Sequence, residues 1–360
     1  MKEWNNPYNP FNSAKILMYA DKLKQCAAGE CPVPVTVAID PTNKCNYDCI
    51  WCNAYDIRHQ KRVELSKDEL LELADFIKDW GVRSTCVAGG GEPYMNKHTS
   101  DLLIRCKENG LSNSIITNGS LLTHLDINVI ANTCRWVGIS MDASSVETYN
   151  KVKGISNDKI FDKVLDNISE IRGTIDSIGS DCDIGYKFLL HPFNQHEIYN
   201  AAVLAKSVGA DDFQVRPVGW ENMTLAKGKL EWNFESINSQ LEKMFELEDD
   251  NFHVYGIRHK YANDLKKKVN FNKCRASSLH PAFCADGKLY SCIDMRGKKE
   301  LVICDYLPEI KNVLKHWNSK GHKAILNNIN VNSCTKCTFA GYNEIIEKVF
   351  IQDTMCRNHI

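Results

Sequence analysis

Residues 35–52 read VTVAIDPTNKCNYDCIWC. The opening VTVAI is apolar and rich in β-branched residues, the composition of a buried strand. The run after it places three thiols, Cys45, Cys49 and Cys52, within eight residues. Their gaps of three and two leave no fourth ligand nearby. A structural zinc takes four ligands, usually as two pairs. Three thiolates on a four-iron cluster instead leave one iron without a protein ligand and open to a small molecule. A strand that delivers its chain into such a loop points to a parallel α/β sheet, where functional groups gather beyond the C-terminal ends of the strands.

The same alternation continues to about residue 217. STCVAG (84–89), SNSIIT (112–117), RWVGISMD (135–142), CDIGYKFLL (182–190) and FQVRPV (213–218) read as five further strands. Between them lie a helix opened by the capping box Ser66-Lys67-Asp68-Glu69 and closed by Gly81, a helix ending on Gly110, the helix LTHLDINVIANT, one long helical region over about 144–177, and HEIYNAAVLAKSVG. Six strand–helix repeats with short links predict an α/β fold, a partial (β/α)6 TIM-like barrel, with largely apolar strands because both sheet faces are covered. The cysteine loop, GGGEP, TNGS and SMD then follow the first four strands on one rim. The expected organisation is an N-terminal extension over 1–34, the barrel over 35–232, and a linker helix with a small C-terminal α+β iron–sulfur module over 233–360. Cysteines return in this last part at 274, 284, 292, 304, 334, 337 and 356. A module of that size needs metal ligation to supplement its core.

Composition narrows the classes. The chain has 360 residues and a formal net charge of −1, with no basic footprint for nucleic acid and no charge suited to anionic membranes. No apolar stretch reaches membrane-span length, and the polar start MKEWNNPYNPFNS has no apolar signal core, so a cytoplasmic protein is expected. Sixteen cysteines in such a chain mean metal ligands, catalytic thiols or buried filler rather than disulfides. Cys86, Cys106 and Cys134 sit in apolar runs and read as filler. Cys26 and Cys31 carry no assignment.

The C-x3-C-x2-C pattern after the first strand, with Trp51 before its third cysteine, resembles the radical S-adenosylmethionine superfamily over about residues 35–217. The resemblance implies a [4Fe-4S] cluster on Cys45, Cys49 and Cys52. It implies S-adenosylmethionine chelated at the open iron, and reductive cleavage to a 5′-deoxyadenosyl radical that takes a hydrogen atom from substrate. Gly90, Gly91 and Glu92 match the family segment that meets the methionine amino group, where backbone must approach closely. Ser140 and Asp142 match the segment near the ribose, and Asn118 lies on the same rim. Lys153 stands where relatives place an arginine for the cofactor carboxylate, and Arg216, at the end of the sixth strand, is the other candidate.

Seventeen residues separate Cys274 from Cys292, and Cys334 and Cys337 form a C-x2-C pair. Asp286-Gly287 reads as a hairpin turn between the two halves of this set. On spacing, four such thiolates suit zinc or a four-iron cluster. The arrangement resembles the twitch module, the shortened form of the SPASM domain, which implies one auxiliary [4Fe-4S] cluster on these four cysteines. Cys284, Cys304 and Cys356 are left as spares. The spacing is most similar to that of the aminocyclitol dehydrogenase type of butirosin biosynthesis, which implies a proton acceptor beside the auxiliary cluster, here Asp294.

Three readings of function follow. The first is an oxidoreductase acting on a small sugar, aminocyclitol or sugar nucleotide, reduced by a low-potential donor such as flavodoxin or ferredoxin. Epimerisation would begin with the same hydrogen abstraction but needs a thiol donor, for which Cys182, Cys284 and Cys304 are available. The second is a maturase of a peptide or protein; the mere 34 residues before the first strand favour a small substrate over it. The third is a non-catalytic, metal-stabilised binding protein, which would leave the motifs on one rim as coincidence.

Overall fold

The computed structural model describes residues 13–59, 63–218, 231–256, 269–334 and 336–352. The chain enters through a 3-10 turn, Ser13–Tyr19, and helix α1 (Ala20–Ala27), then crosses to β1 (Thr36–Ile39). The alternating part follows as α2 (Tyr55–Arg58), α3 (Lys67–Trp80), β2 (Ser84–Val87), α4 (Thr99–Glu108), β3 (Ser112–Thr117), α5 (His124–Thr133), β4 (Cys134–Ser140), α6 (Val146–Lys153), α7 (Lys159–Ile178), β5 (Asp183–Leu190), α8 (Ile198–Ser207), β6 (Asp212–Pro217), α9 (Phe234–Met244) and β7 (His253–Gly256). The C-terminal part holds β8 (Ala282–Phe283), β9 (Lys288–Tyr290), β10 (Val302–Asp305), α10 (Asn312–His316), α11 (Lys320–Asn328) and α12 (Ala340–Ile345), which runs into a π-helix over Ile346–Gln352.

The six expected strands are all present. They lie side by side in parallel register from β1 to β6, and β7 adds to β6 in parallel. One face carries Val37, Ile39, Val87, Ile115, Val137, Ile139, Ile184, Tyr186, Phe188, Phe213 and Val215. These pack under the helices on Leu70, Leu73, Leu102, Ile127, Ile130, Val164, Ile168 and Ala201. Helix α3 has the capping box of Ser66 and Glu69 and stops at Gly81 in the left-handed region, as its sequence predicts. Helix α5 gains a second box from Thr123 and Asp126.

Three features differ from expectation. The long helical region is two helices, α6 and α7, broken at Gly154, whose φ is +65°. A Cβ there would stand 2.3 Å from the Asp48 carbonyl oxygen, because the cysteine loop lies directly on this turn. Helix α9, expected as the linker helix of the C-terminal region, packs with the barrel, as does the unforeseen strand β7: Ile237, Leu241 and Met244 of α9 and Val254 of β7 join the main core. The C-terminal hairpin is not a separate layer. Strand β8 pairs with β1 in parallel and continues through antiparallel β9 and β10, so one ten-stranded sheet runs from β10 to β7, its two edge strands. Asp286-Gly287 makes the expected turn, with Gly287 at φ +77°.

The N-terminal segment belongs with the C-terminal part in space. Ile16, Leu23 and Cys26 pack on Ala276, Leu279, Cys292, Phe339 and Ile346 in a second core. Among the described residues no helix is long and apolar enough to cross a membrane.

Two glycines with equal φ separate backbone strain from contact. Gly154 and Gly179 both have φ +65°, but nothing lies within 4 Å of a Cβ built on Gly179. Gly179→Ala is expected to lose about 1–2 kcal/mol of stability, and Gly154→Ala about 3 kcal/mol or more once the clash with Asp48 is added. Denaturant unfolding of the two variants checks the difference, and equal losses would mean that the cysteine loop does not press on this turn.

Candidate active site

The cysteine loop occupies the space between the end of β1 and α2, and its backbone is held at both sides. Asp48 N–H donates to the Lys153 carbonyl and Ile50 N–H to the Val152 carbonyl, each at 3.1 Å. The orphan carbonyls at the end of α6 are thereby satisfied by the loop itself. On the other side Glu92 N–H donates to the Lys44 carbonyl at 2.8 Å, and a Cβ on Gly91 would stand 2.0 Å from that same oxygen. Only glycine lets the two loops meet. Asn43 ties the loop's return, donating to the Ile57 carbonyl and accepting from Val63 N–H.

Beneath the loop lies a buried ion pair. Lys153 Nζ is 2.7 Å from Asp142 Oδ2, both side chains almost fully enclosed. Burial opposes the charge on Lys153, but Asp142, together with the nearby Cys49 thiol, outweighs it, so the ammonium's pKa stands above its ordinary value. Asp142 holds a left-handed φ of +61°, and its Oδ1 accepts from Leu189 N–H at 2.6 Å. Two residues expected separately at the cofactor are therefore placed against each other. Glu92 is likewise occupied: it accepts from the Thr117 hydroxyl and from Asn118 N–H and Tyr94 N–H. Burial raises its pKa to about 7 despite these donors. Asn118 donates to Asn46 and accepts from Ser120. Ser140 ends β4 beside Lys187, and Trp51 is buried with its ring 4.9 Å from that of His191.

The concave face of the sheet is unlike its helix-covered face. Trp136 and Gly138 of β4, Gly185 and Lys187 of β5, and Gln214 of β6 share it. A Cβ on Gly138 would strike Trp136 and the Lys187 chain, and one on Gly185 would strike Trp136 and Gln214. Alternation along the strands adds Asp40, Cys86, Ser114 and Arg216. Small and polar residues stand where a closed barrel would carry layers of Val, Ile and Leu. The Trp136 ring lies across this face, the lumen side of the sheet, over Gly138 and Gly185. Cys86 half-faces it, so the filler role holds for the buried Cys106 and Cys134 but not for this thiol. Lys187, 8 % exposed, lies over the Trp136 ring with Nζ 5.6 Å from its centre. Burial first, then Arg216, brings its pKa down to about 7.

The C-terminal module closes over this lumen. Arg296 Nε stands 2.9 Å from Asp40 Oδ2, in ion-pair contact without hydrogen-bond alignment, and the Cys284 thiol donates to the same carboxylate at 3.2 Å. Cys274, Cys292, Cys334 and Cys337 come together behind it, each within electrostatic reach of another. Asp294 sits among them with both oxygens engaged: Oδ2 accepts from Thr338 N–H at 2.5 Å, Oδ1 accepts from the Thr338 hydroxyl at 2.9 Å, and Lys336 Nζ is 3.3 Å away. Cys304 and Cys182 lie in the main core, and Cys356 lies outside the described residues.

Both thiol sets suit iron–sulfur clusters, in which each thiolate takes its own iron. Burial raises the Cys45, Cys274 and Cys292 thiols and brings Cys49 and Cys337 to about 12. These are neutral soft donors that need a metal's charge to become thiolates. The glycines of GGGEP let that segment pack directly on the cysteine loop, Gly91 against the Lys44 backbone.

Sequence reasoning missed Lys187, Asp40 and Arg296. The signal for Lys187 was available: a lysine in the middle of the apolar strand CDIGYKFLL, in a sheet expected to be buried on both faces.

Comparison with known proteins bears on the fold and the family. Residues 39–181 match the radical SAM superfamily. A probable GTP 3′,8-cyclase of Saccharolobus islandicus is 25% identical over 265 residues, 70% of this chain and 80% of that one. The structure of Streptococcus suis SuiB bound to S-adenosylmethionine superposes with a TM-score of 0.64 at 18% identity, covering 95% of this chain and 80% of that one. Native anSMEcpe with bound AdoMet gives 0.58 at 14% identity, covering 89% and 98%.

Lys187 makes stability pH-dependent in a predictable direction. Its folded pKa of about 7 lies below the ordinary 10.5, so between these values the unfolded chain binds more protons. Stability then rises with pH across that window, and the burial penalty is fully present below pH 7. From pH 7 to 8.5 the wild-type slope is expected to exceed that of Lys187→Met by up to about 1.4 kcal/mol per pH unit. Parallel slopes in denaturant unfolding would place the ammonium in solvent.

Proposed function

Since residues 39–181 make this chain a member of the radical SAM superfamily, we propose that it is an oxidoreductase that dehydrogenates a small carbohydrate-like substrate in the lumen between barrel and module. The observation that carries this reading is the position of that lumen: the cysteine loop stands on its rim, and the second cysteine set is brought over it by the pairing of β8 with β1. A substrate there would stand between the two centres.

When bound, S-adenosylmethionine on a three-thiolate [4Fe-4S] cluster supplies a 5′-deoxyadenosyl radical, and the auxiliary [4Fe-4S] cluster supplies an electron acceptor. The chain's own part is to hold and orient. Cys45, Cys49 and Cys52 would carry the first cluster; Cys274, Cys292, Cys334 and Cys337 would carry the second. Gly90 would border the methionine end, Gly91 lets its segment close on Lys44 of the cysteine loop, and Ser140 and Asn118 stand on the rim beside it. Lys153 and Asp142 act from beneath, holding α6 and with it the loop. Asp294 is the proton acceptor of this proposal; Thr338 and Lys336 keep its carboxylate beside Cys292. The reductant would be a low-potential donor of the flavodoxin or ferredoxin kind.

A second reading, a peptide or protein maturase, is supported by the fold likeness over nearly the whole chain to SuiB, which has also been solved bound to the precursor peptide SuiA. If the outcome were epimerisation, a thiol would return the hydrogen atom, and Cys284, 0 % exposed beside Asp40, would be the candidate. Turnover in deuterated water separates the outcomes, because epimerisation fixes solvent deuterium at an inverted carbon.

Anaerobically purified protein is expected to hold about eight irons per chain. Replacing Cys45, Cys49 and Cys52 together by Ala should remove half of the iron and all 5′-deoxyadenosine formation under reductant. Continued formation in that variant would end the proposal. Cys334→Ala and Cys337→Ala should keep the first cluster, lose substrate conversion and express poorly, since ligation is part of the module's stability.

A further inference from the structure

We infer that the lumen binds the anionic group of its substrate, a carboxylate or a phosphate, between Lys187 and Arg216. The inference rests on the reading of the lumen as the place of reaction, and it adds the substrate's charge. Strands β5 and β6 are adjacent and parallel, with Lys187 opposite Gln214 and Leu189 opposite Arg216. Lys187 and Arg216 are therefore one rung apart on the same concave face. Neither side chain has a hydrogen bond or a carboxylate partner among the described residues, although Lys187 is more than nine-tenths buried. An ammonium enclosed in that position with no carboxylate partner is an expensive arrangement. Its contact with the Trp136 ring offsets only part of the cost.

The surrounding charges sharpen the point. Among the described residues, the cations that the module brings to the lumen have partners: Arg296 has Asp40, and Lys336 has Asp294. Asp212 shares the concave face one rung from Lys187, but its oxygens accept from Gln214 and from Trp136 Nε1, and burial raises its pKa to about 7. With the two pairs cancelled, Lys187 and Arg216 remain the cations of this face without a carboxylate partner among the described residues. Two like charges side by side repel, and Arg216 is the largest influence on Lys187 after burial itself. An oxyanion between them relieves both. The arginine presents a planar fork to two oxygens, and the ammonium presents a point charge to a third or shared oxygen. Within the carbohydrate-like class this selects acids, sugar phosphates and sugar nucleotides. It disfavours an aminocyclitol, whose protonated amines would add to the surplus.

The test is a titration that needs no turnover. The cluster-loaded chain, purified anaerobically and saturated with S-adenosylmethionine, is titrated calorimetrically with glutarate and with pyrophosphate. At least one is expected to bind: glutarate alone would indicate a carboxylate, pyrophosphate alone a phosphate, and weakening by salt is expected for either. Lys187→Met should weaken the binding roughly tenfold or more, and Lys187→Arg should restore most of it. Arg216→Gln is the second variant and should weaken the same probe. Absence of binding by both probes, or binding that neither variant alters, overturns the inference. So does a Lys187→Met chain that loses S-adenosylmethionine affinity while keeping the anion, because the pair would then serve the cofactor carboxylate. Failure of 5′-deoxyadenosine formation would sink the proposed activity while leaving this titration readable.

Discussion

The buried contact between Lys153 and Asp142 governs the architecture of the site. Asp142 stands at the end of β4 in a left-handed conformation, fixed by Leu189 N–H of the next strand. Lys153 is the last residue of α6, so the 2.7 Å ion pair pins that helix end against the sheet. The carbonyls of Val152 and Lys153 then face the cysteine loop and take its Ile50 and Asp48 N–H groups. Gly154 gives the turn the clearance it needs. A pair this deeply enclosed contributes little net stability against an apolar substitute, but loss of one partner leaves a buried charge, at a cost of about 3–5 kcal/mol. Its use here is positional: it converts the rigidity of a parallel sheet into the placement of three thiols.

The second constraint is the parallel pairing of β8 with β1. Main-chain bonds from Val35, Ala38 and Asp40 N–H to the carbonyls of Leu279, Pro281 and Phe283 extend the sheet into the module. Because the side-chain period is two, this register decides which module residues face inward. It sets Cys284 and Arg296 against Asp40 at the mouth of β1. The module, whose Phe283, Leu289, Ile303 and Tyr306 pack in the main core, is thus joined by backbone as well as by side chains, and it cannot shift along β1 without breaking the ladder.

Local signals were legible in the sequence and long-range ones were not. The six strands, the capping box at Ser66, the stop at Gly81 and the turn at Asp286-Gly287 depend on residues near each other in the chain, and the structure has them where the patterns put them. Strand β7, HVYG, is four residues long and too short to announce itself. The break at Gly154 depends on Asp48, more than a hundred positions earlier. Reading the strands as buried on both faces hid the lumen, since Gly138, Gly185 and Ser114 count as neutral in an apolar run yet together empty one side of the sheet. Lys187 in CDIGYKFLL, and Gln214 and Arg216 in FQVRPV, contradicted the reading. At the rim, the motif residues were identified by resemblance, but Glu92 and Asp142 turn out to be held by internal donors that no spacing reveals.

The division of charge between barrel and module gives the two constraints a common purpose. Asp40, Lys187 and Arg216 come from the sheet, whereas Arg296, Lys336 and Asp294 come from the module. If the module were absent, Asp40 would face the lumen unpaired and would itself neutralise part of the positive surplus there. Docking through β8 brings Arg296 onto Asp40 and removes that competitor, leaving Lys187 and Arg216 as the exposed demand for an anion. The pocket's charge is therefore a property of the assembled sheet. The strand pairing that carries the second cysteine set over the lumen also tunes the field in which a substrate would be held.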